Sequence, residues 1–175
     1  VAAAVAGRLS TRAEAASVHE LPPPYVVKPV DEGSSVGVLI IRPGNNEWSA
    51  AILSGGKPDD IVMIERYIAG RELTCGVIGD RATDIIDIVS AGHLQFYDYE
   101  AKYAPGGSQH ILPANLPESI RSAIQRHTLA AHQALGCRGV SRTDFRWDEA
   151  RGLAGLVLLE TNTQPGMTPT SLAPE

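Results

Sequence analysis

Short runs of β-branched and aliphatic residues, broken by Gly, Pro, Asn and Asp, fill the first half of the chain. They predict strands over residues 25–29 (YVVKP), 36–41 (VGVLII), 61–65 (IVMIE), 72–78 (ELTCGVI) and 85–89 (IIDIV). A short helix is expected over 47–53. After Leu116 the period lengthens: Ile120, Ile124, Leu129 with Thr128, and Ala131 with Leu135 fall on one helical stripe, and Gly136 supplies the stop. This predicts an amphipathic helix of about five turns over 117–135. Two strands follow, 139–147 and 155–163, joined by a turn at 148–152, and the short connection predicts an antiparallel pair. Residues 1–20 are rich in helix-forming alanine and end at a boundary, the LPPP of 21–24. The pattern is that of an α+β protein with a sheet-rich first lobe.

Composition narrows the function classes. The chain has 175 residues, 43% of them hydrophobic and 20% charged, with a net charge of −5 at pH 7. That is a globular composition, and the scattered basic residues leave no footprint for nucleic acid. The alanine-rich start is too short to span a bilayer and its arginines follow the apolar run, so neither a signal peptide nor a membrane helix is expected. Cys75 and Cys137 lack CxxC spacing and read as reduced, structural thiols in a cytoplasmic protein. His93, His110, His127 and His132 show no metal-ligand spacing, and His19 is uninformative. The chain starts at Val1 and stops soon after its richest motif, which suggests a piece of something longer.

That motif is LLETNTQPGMT, residues 158–168. Glu160 and Asn162 are two apart on a strand, so they share a face, and Arg142 and Asp144 of SRTDF do the same. If the two strands pair, Asp144, Glu160 and Asn162 converge with Arg142 beside them. Two carboxylates and an amide form a hard oxygen set suited to Mg2+ and phosphate; the bland alternative is a solvated strand end paired with Arg142. Upstream, VKPVDEGSSVG carries Lys28 into a small-residue loop containing Ser34, either a cradle for anionic oxygens or an ordinary hairpin turn. It is not a Walker loop, because the lysine precedes the glycines. IERYI followed by Gly70 and Glu72 suits an adenine edge and a ribose diol, or a solvated charge cluster. FYDYEAKY, bounded by Pro105 and two glycines, has the make-up of a lid, or of an exposed amphipathic turn.

In this order the stretches resemble the D-alanine:D-alanine ligases of the ATP-grasp superfamily, from about Leu21 to the C-terminus. The resemblance implies an ATP-grasp fold in which two α+β lobes with antiparallel sheets sandwich the nucleotide. It implies a segment at 1–24 of unclear role, a first lobe at 25–90, a lid at 91–115 and a second lobe at 116–175. Lys28 then resembles a phosphate-contacting lysine, Glu65, Arg66, Tyr67 and Ile68 the adenine linker, and Glu72 the ribose carboxylate. Asp144, Glu160 and Asn162 match the ligands of two Mg2+ ions, a role Mn2+ can also fill. Arg142 and Lys102 match residues that stabilise charge in the reaction, and Ser34 and Tyr103 residues that position substrate and order the lid. Gly166 matches a backbone donor near the oxyanion, and Ser171 a contact to the second substrate's carboxylate.

The implied activity is ATP-dependent, ADP-forming ligation of two D-alanines through an acyl phosphate, for peptidoglycan synthesis in the cytoplasm. The partners are ATP and D-alanine, with no nucleic acid and no membrane, and a homodimer for the full-length protein. The lid pattern around Tyr103 favours an amine over a hydroxy acid as second substrate. Family members carry an N-terminal substrate domain that residues 1–24 cannot replace, so the isolated chain is expected to turn over little. Another ATP-grasp carboxylate-amine ligase and a non-catalytic nucleotide-binding fragment remain the alternatives.

Overall fold

The computed structural model describes residues 3–18, 21–33, 35–90 and 108–166. They form two compact units, one running from Val5 to Tyr67 and the other taking Ala3, Ala4 and the described residues from Ile68 onward. The smaller unit is a four-stranded sheet with two helices. It contains β2 (Gly7–Thr11), α1 (Arg12–Ser17), β3 (Tyr25–Pro29), β4 (Leu39–Ile41), α2 (Trp48–Ser54) and β5 (Ile61–Arg66). The strand order is β2-β5-β3-β4, antiparallel throughout. Alternation along the strands sends Tyr25, Val27, Ile41, Val62 and Ile64 to one face, where they bury with Ala15, Ala16 and Ile52 of the helices. Val26, Lys28, Met63 and Glu65 are left on the other.

Residues 1–20 are not simply the helical segment that their alanines suggested. Thr11 caps α1 through a capping box with Glu14, but β1 (Ala3–Ala4) and β2 precede it. Strand pairing overrides alanine's helix propensity in β1, where Ala3 and Ala4 lie against Val157 and Leu158, and the alanine-free β2 pairs with β5 from Gly7↔Glu65 to Thr11↔Ile61. Arg12, buried at the start of α1, donates from Nη1 to the Ile52 carbonyl and so satisfies the C-terminal turn of α2.

The larger unit holds β6 (Arg71–Ile78), β7 (Arg81–Ser90), β8 (Ser108–Ile111), α3 (Glu118–Ala134), β9 (Val140–Trp147), a 3-10 segment (Glu149–Gly155) and β10 (Leu156–Asn162). Its sheet order is β1-β10-β9-β6-β7-β8, antiparallel except for the β1/β10 contact. The pairing of the last two long strands is the antiparallel one expected. β6 and β7, placed by sequence in a lobe over 25–90, instead join β9, because the eight-residue register from Arg71↔Trp147 to Ile78↔Val140 gathers them into one sheet. Residues 91–107 lie outside the described part, so most of the expected lid does too, and 108–111 is a strand.

One face of this sheet buries Leu73, Cys75, Ile85, Phe145, Trp147 and Leu156 against Ile120, Ala123 and Ile124 of α3. The buried stripe of α3 then continues through Thr128 and His132, while Leu135 is exposed. Polar groups can occupy that position because they are satisfied: Thr128 donates to the Ile124 carbonyl, and His132 Nδ1 lies 2.7 Å from Ser141 Oγ. Among the described residues no helix is long and apolar enough to cross a membrane.

Candidate functional site

The opposite face of the larger sheet carries the polar residues. Register partners share a face, so three strands set out a small lattice. Asn162, Arg142 and Gly76 form one row; Glu160, Asp144 and Thr74 the next; Val157, Arg146 and Glu72 a third. The sequence-predicted Arg142, Asp144, Glu160, Asn162 and Glu72 thus come together.

A β-bulge makes this possible. Leu156 and Leu158 oppose Trp147 and Phe145 on the core side, so strict alternation would send Glu160 there as well. The register shifts between Leu158 and Glu160, Leu159 is the extra residue, and Glu160 and Asn162 emerge on the Asp144 face.

Asp144 is held tightly. Arg142 donates from Nε to Oδ1 at 2.9 Å and from Nη2 to Oδ2 at 2.8 Å, a bidentate pair. Thr74 Oγ1 donates to Oδ1 at 2.6 Å. In the third row Arg146 Nη1 lies 3.7 Å from Glu72 Oε2 and donates to the Gly70 carbonyl at 3.0 Å. Its Nη2 is buried with no hydrogen-bond partner among the described residues. Gly70 has φ +110, and any side chain there would run into the Trp147 carbonyl, so only glycine lets β6 start beside β9.

Among the described residues no three of His, Cys, Asp and Glu cluster as a ready metal cage. Two carboxylates and an amide fit instead a hard cation that keeps part of its shell for phosphate oxygens, as Mg2+ does.

In the smaller unit Lys28 and Glu65 form an ion pair of 2.9 Å. Gly7 faces Glu65 across β2, and its missing side chain leaves room for the carboxylate stem. After β5 the chain is anchored twice, Arg66 N–H to the Ala6 carbonyl and Tyr67 N–H to the Pro24 carbonyl. The Arg66 side chain is exposed, and Tyr67 and Ile68 are half-buried. The loop after Lys28 makes two successive turns, closed by Val36 N–H to the Gly33 carbonyl and Val38 N–H to the Ser35 carbonyl. Ser35 sits at φ 62, a left-handed position unusual for a residue with a side chain. Gly166 is exposed. Ser34, Lys102, Tyr103 and Ser171 lie outside the described residues.

Sequence reasoning assigned no role to Thr74 or Arg146. Both follow a chosen residue by two, Thr74 after Glu72 and Arg146 after Asp144, so the same alternation rule finds them once applied one step further.

Residues 6–175 match the model of the family described as "D-ala D-ala ligase C-terminus". The chain is 59% identical over 167 residues to a D-alanine–D-alanine ligase of Cereibacter sphaeroides, which covers 95% of this chain and 52% of that protein. It is 56% identical over 170 residues to one of Ruegeria pomeroyi, covering 97% and 54%. Among solved structures, VanG D-Ala:D-Ser ligase from Enterococcus faecalis superposes with a TM-score of 0.78 at 29% identity, covering 99% of this chain and 51% of that one. D-alanine–D-alanine ligase from Bacillus anthracis complexed with ATP gives 0.71 at 25% identity, covering 99% and 53%. The chain spans about half the length of the curated relatives it matches.

Proposed function

The chain belongs to the D-ala D-ala ligase C-terminus family and has its ATP-grasp fold, and from that premise we propose that it is the nucleotide-binding part of a cytoplasmic ligase joining two D-alanines for peptidoglycan synthesis. The observation that supports this most is the bulged face, where Asp144, Glu160 and Asn162 stand in adjacent rows with Arg142. The relatives named D-alanine–D-alanine ligase, at 56% and 59% identity, support D-alanine as both substrates.

In the first step a carboxylate oxygen of one D-alanine bonds to the γ-phosphorus of ATP and the bond to the bridging oxygen breaks, releasing ADP. In the second, the amine of the other D-alanine adds to the acyl phosphate carbonyl, phosphate leaves with the bonding pair, and the amine loses a proton. Glu72 accepts from the ribose hydroxyls, and Lys28 and Lys102 hold phosphate oxygens. Glu65, Arg66, Tyr67 and Ile68 frame the adenine. Asp144, Glu160 and Asn162 hold Mg2+, which when bound neutralises charge on the phosphate tail. Arg142 and the Gly166 amide stabilise the tetrahedral oxyanion of the second step, and Ser34, Tyr103 and Ser171 orient the substrates. Assembly as a homodimer belongs to the same proposal, and sedimentation reads it directly.

Calorimetric titration of this chain with a non-hydrolysable ATP analogue tests the nucleotide part. Binding that requires Mg2+ is expected; no binding, or binding indifferent to Mg2+, overturns it. The E. faecalis neighbour is named a D-Ala:D-Ser ligase, so the ligase part needs a competition. ADP release by the protein that carries this chain should be fastest with D-alanine, slower with D-serine and slowest with D-lactate. Release stimulated by another acid and not by D-alanine overturns that part.

A further inference from the structure

Asp144 is gripped from two sides, and the grips differ in kind. Arg142 reaches both carboxylate oxygens with a long side chain from two residues away on the same strand. Thr74 comes from the facing position on β6, is 1% exposed, and is branched at Cβ, so its hydroxyl has little freedom to turn away. We propose that Thr74 is a positioning residue for divalent-cation binding: it fixes Oδ1 of Asp144 so that Oδ2 is presented to the cation that accompanies the nucleotide. This rests on the nucleotide-binding reading above.

The geometry supports the assignment. The Thr74 hydroxyl has one proton and two acceptors in reach, Asp144 Oδ1 at 2.6 Å and the Thr143 carbonyl at 3.3 Å. The shorter contact has the length of a hydroxyl bonded to an ionised carboxylate. Oδ1 therefore receives Thr74 and Arg142 Nε, and Oδ2 receives Arg142 Nη2. A guanidinium on Oδ2 repels an incoming divalent cation, so Arg142 yields that oxygen when the cation binds. A neutral hydroxyl has no such conflict and keeps its hold on Oδ1. Arg142 is thereby released toward the reacting carbonyl. Partners that orient a metal's ligands from behind commonly govern affinity by about 10- to 100-fold.

The test compares Thr74→Val, which keeps the shape and loses the hydroxyl, with Thr74→Ser, which keeps the hydroxyl. Mn2+ is titrated into this chain with a non-hydrolysable ATP analogue, and free Mn2+ is followed by electron paramagnetic resonance. Thr74→Val should weaken Mn2+ binding by about tenfold or more, and Thr74→Ser should restore it to near wild type. A merely structural hydroxyl would shift melting without this pattern. Equal Mn2+ affinity in wild type and Thr74→Val, or Thr74→Ser as weak as Thr74→Val, overturns the proposal. A wild-type chain that binds no Mn2+ beside the analogue sinks the nucleotide reading itself, which is a separate outcome.

Discussion

Lys28 and Glu65 stand diagonally across β3 and β5, with Nζ 2.9 Å from Oε2 and the Glu65 side chain only 9% exposed. The pair ties the proposed phosphate lysine to the strand that leads into the proposed adenine linker. Lys28→Met leaves a nearly buried carboxylate without its cation. We expect a loss of about 2 to 3 kcal/mol, below the full cost for a wholly buried pair because Lys28 keeps 22% of its side chain in water. Lys28→Met with Glu65→Met should recover most of it. Urea unfolding midpoints decide, and a Lys28→Met chain as stable as wild type would show that the pair carries no net stability.

On the lattice of the larger sheet, Asp144→Asn and Glu160→Gln should abolish the rise in melting temperature that a magnesium nucleotide gives wild type. A ligand held by the native state at 100 times its Kd adds about 2.7 kcal/mol by mass action. Melting without nucleotide should change far less than that for Glu160→Gln, whose side chain lies on an exposed position. If both variants are stabilised by nucleotide as much as wild type is, these carboxylates hold no metal.

Deleting Leu159 removes the extra residue of the bulge and restores strict alternation in β10. Glu160 would then follow Leu158 directly and, being one position on from a core-facing residue, would stay opposite Asp144. We expect the carboxylate face and Mg2+-dependent binding to be retained, because no charged group enters the core. Leu159→Ala, which keeps the residue count, should retain the register and the binding. Loss of Mg2+-dependent binding on deletion, with Leu159→Ala still binding, would mean that the bulge itself shapes the site beyond setting which face Glu160 takes.

Burial pushes the Cys75 thiol above its ordinary value of 9.0. In the unfolded chain the same thiol ionises near that value, so the unfolded state gains stability first as pH rises. The Cys75 contribution is therefore fully present below pH 9.0 and fades between 9.0 and the higher folded value. Native thiol titration near neutral pH should modify half-buried Cys137 and spare Cys75. Cys75→Ala should lower stability at neutral pH through its cavity and flatten the fall above pH 9.0. Rapid labelling of Cys75 in the native chain would contradict its burial.

Local pattern alone determined a good deal of this protein. Turn residues and alternation placed β3, β5 and β9 to within a residue or two, the longer period located α3, and the i, i+2 rule put Glu160 with Asn162 and Arg142 with Asp144. These are properties of neighbours in the chain, and neighbours are what a sequence displays. The strand at 7–11 was hidden because GRLST has no run of β-branched residues and three exposed positions, and it becomes β2 only by lying against β5. Thr128, already on the stripe beside Leu129, is the buried one of the two, and His132 takes the buried place expected of Leu135 because Ser141 of β9 satisfies it, a partner that the helical period cannot show. The largest share left to tertiary structure is the site. Whether Glu160 meets Asp144 or core-facing Thr143 depends on the one-residue shift in the register of β10, and whether Thr74 reaches Asp144 depends on β6 pairing with β9 across about seventy residues of chain. Pairing over that distance is settled by the free energy of the whole sheet and its core, a sum that no short stretch contains.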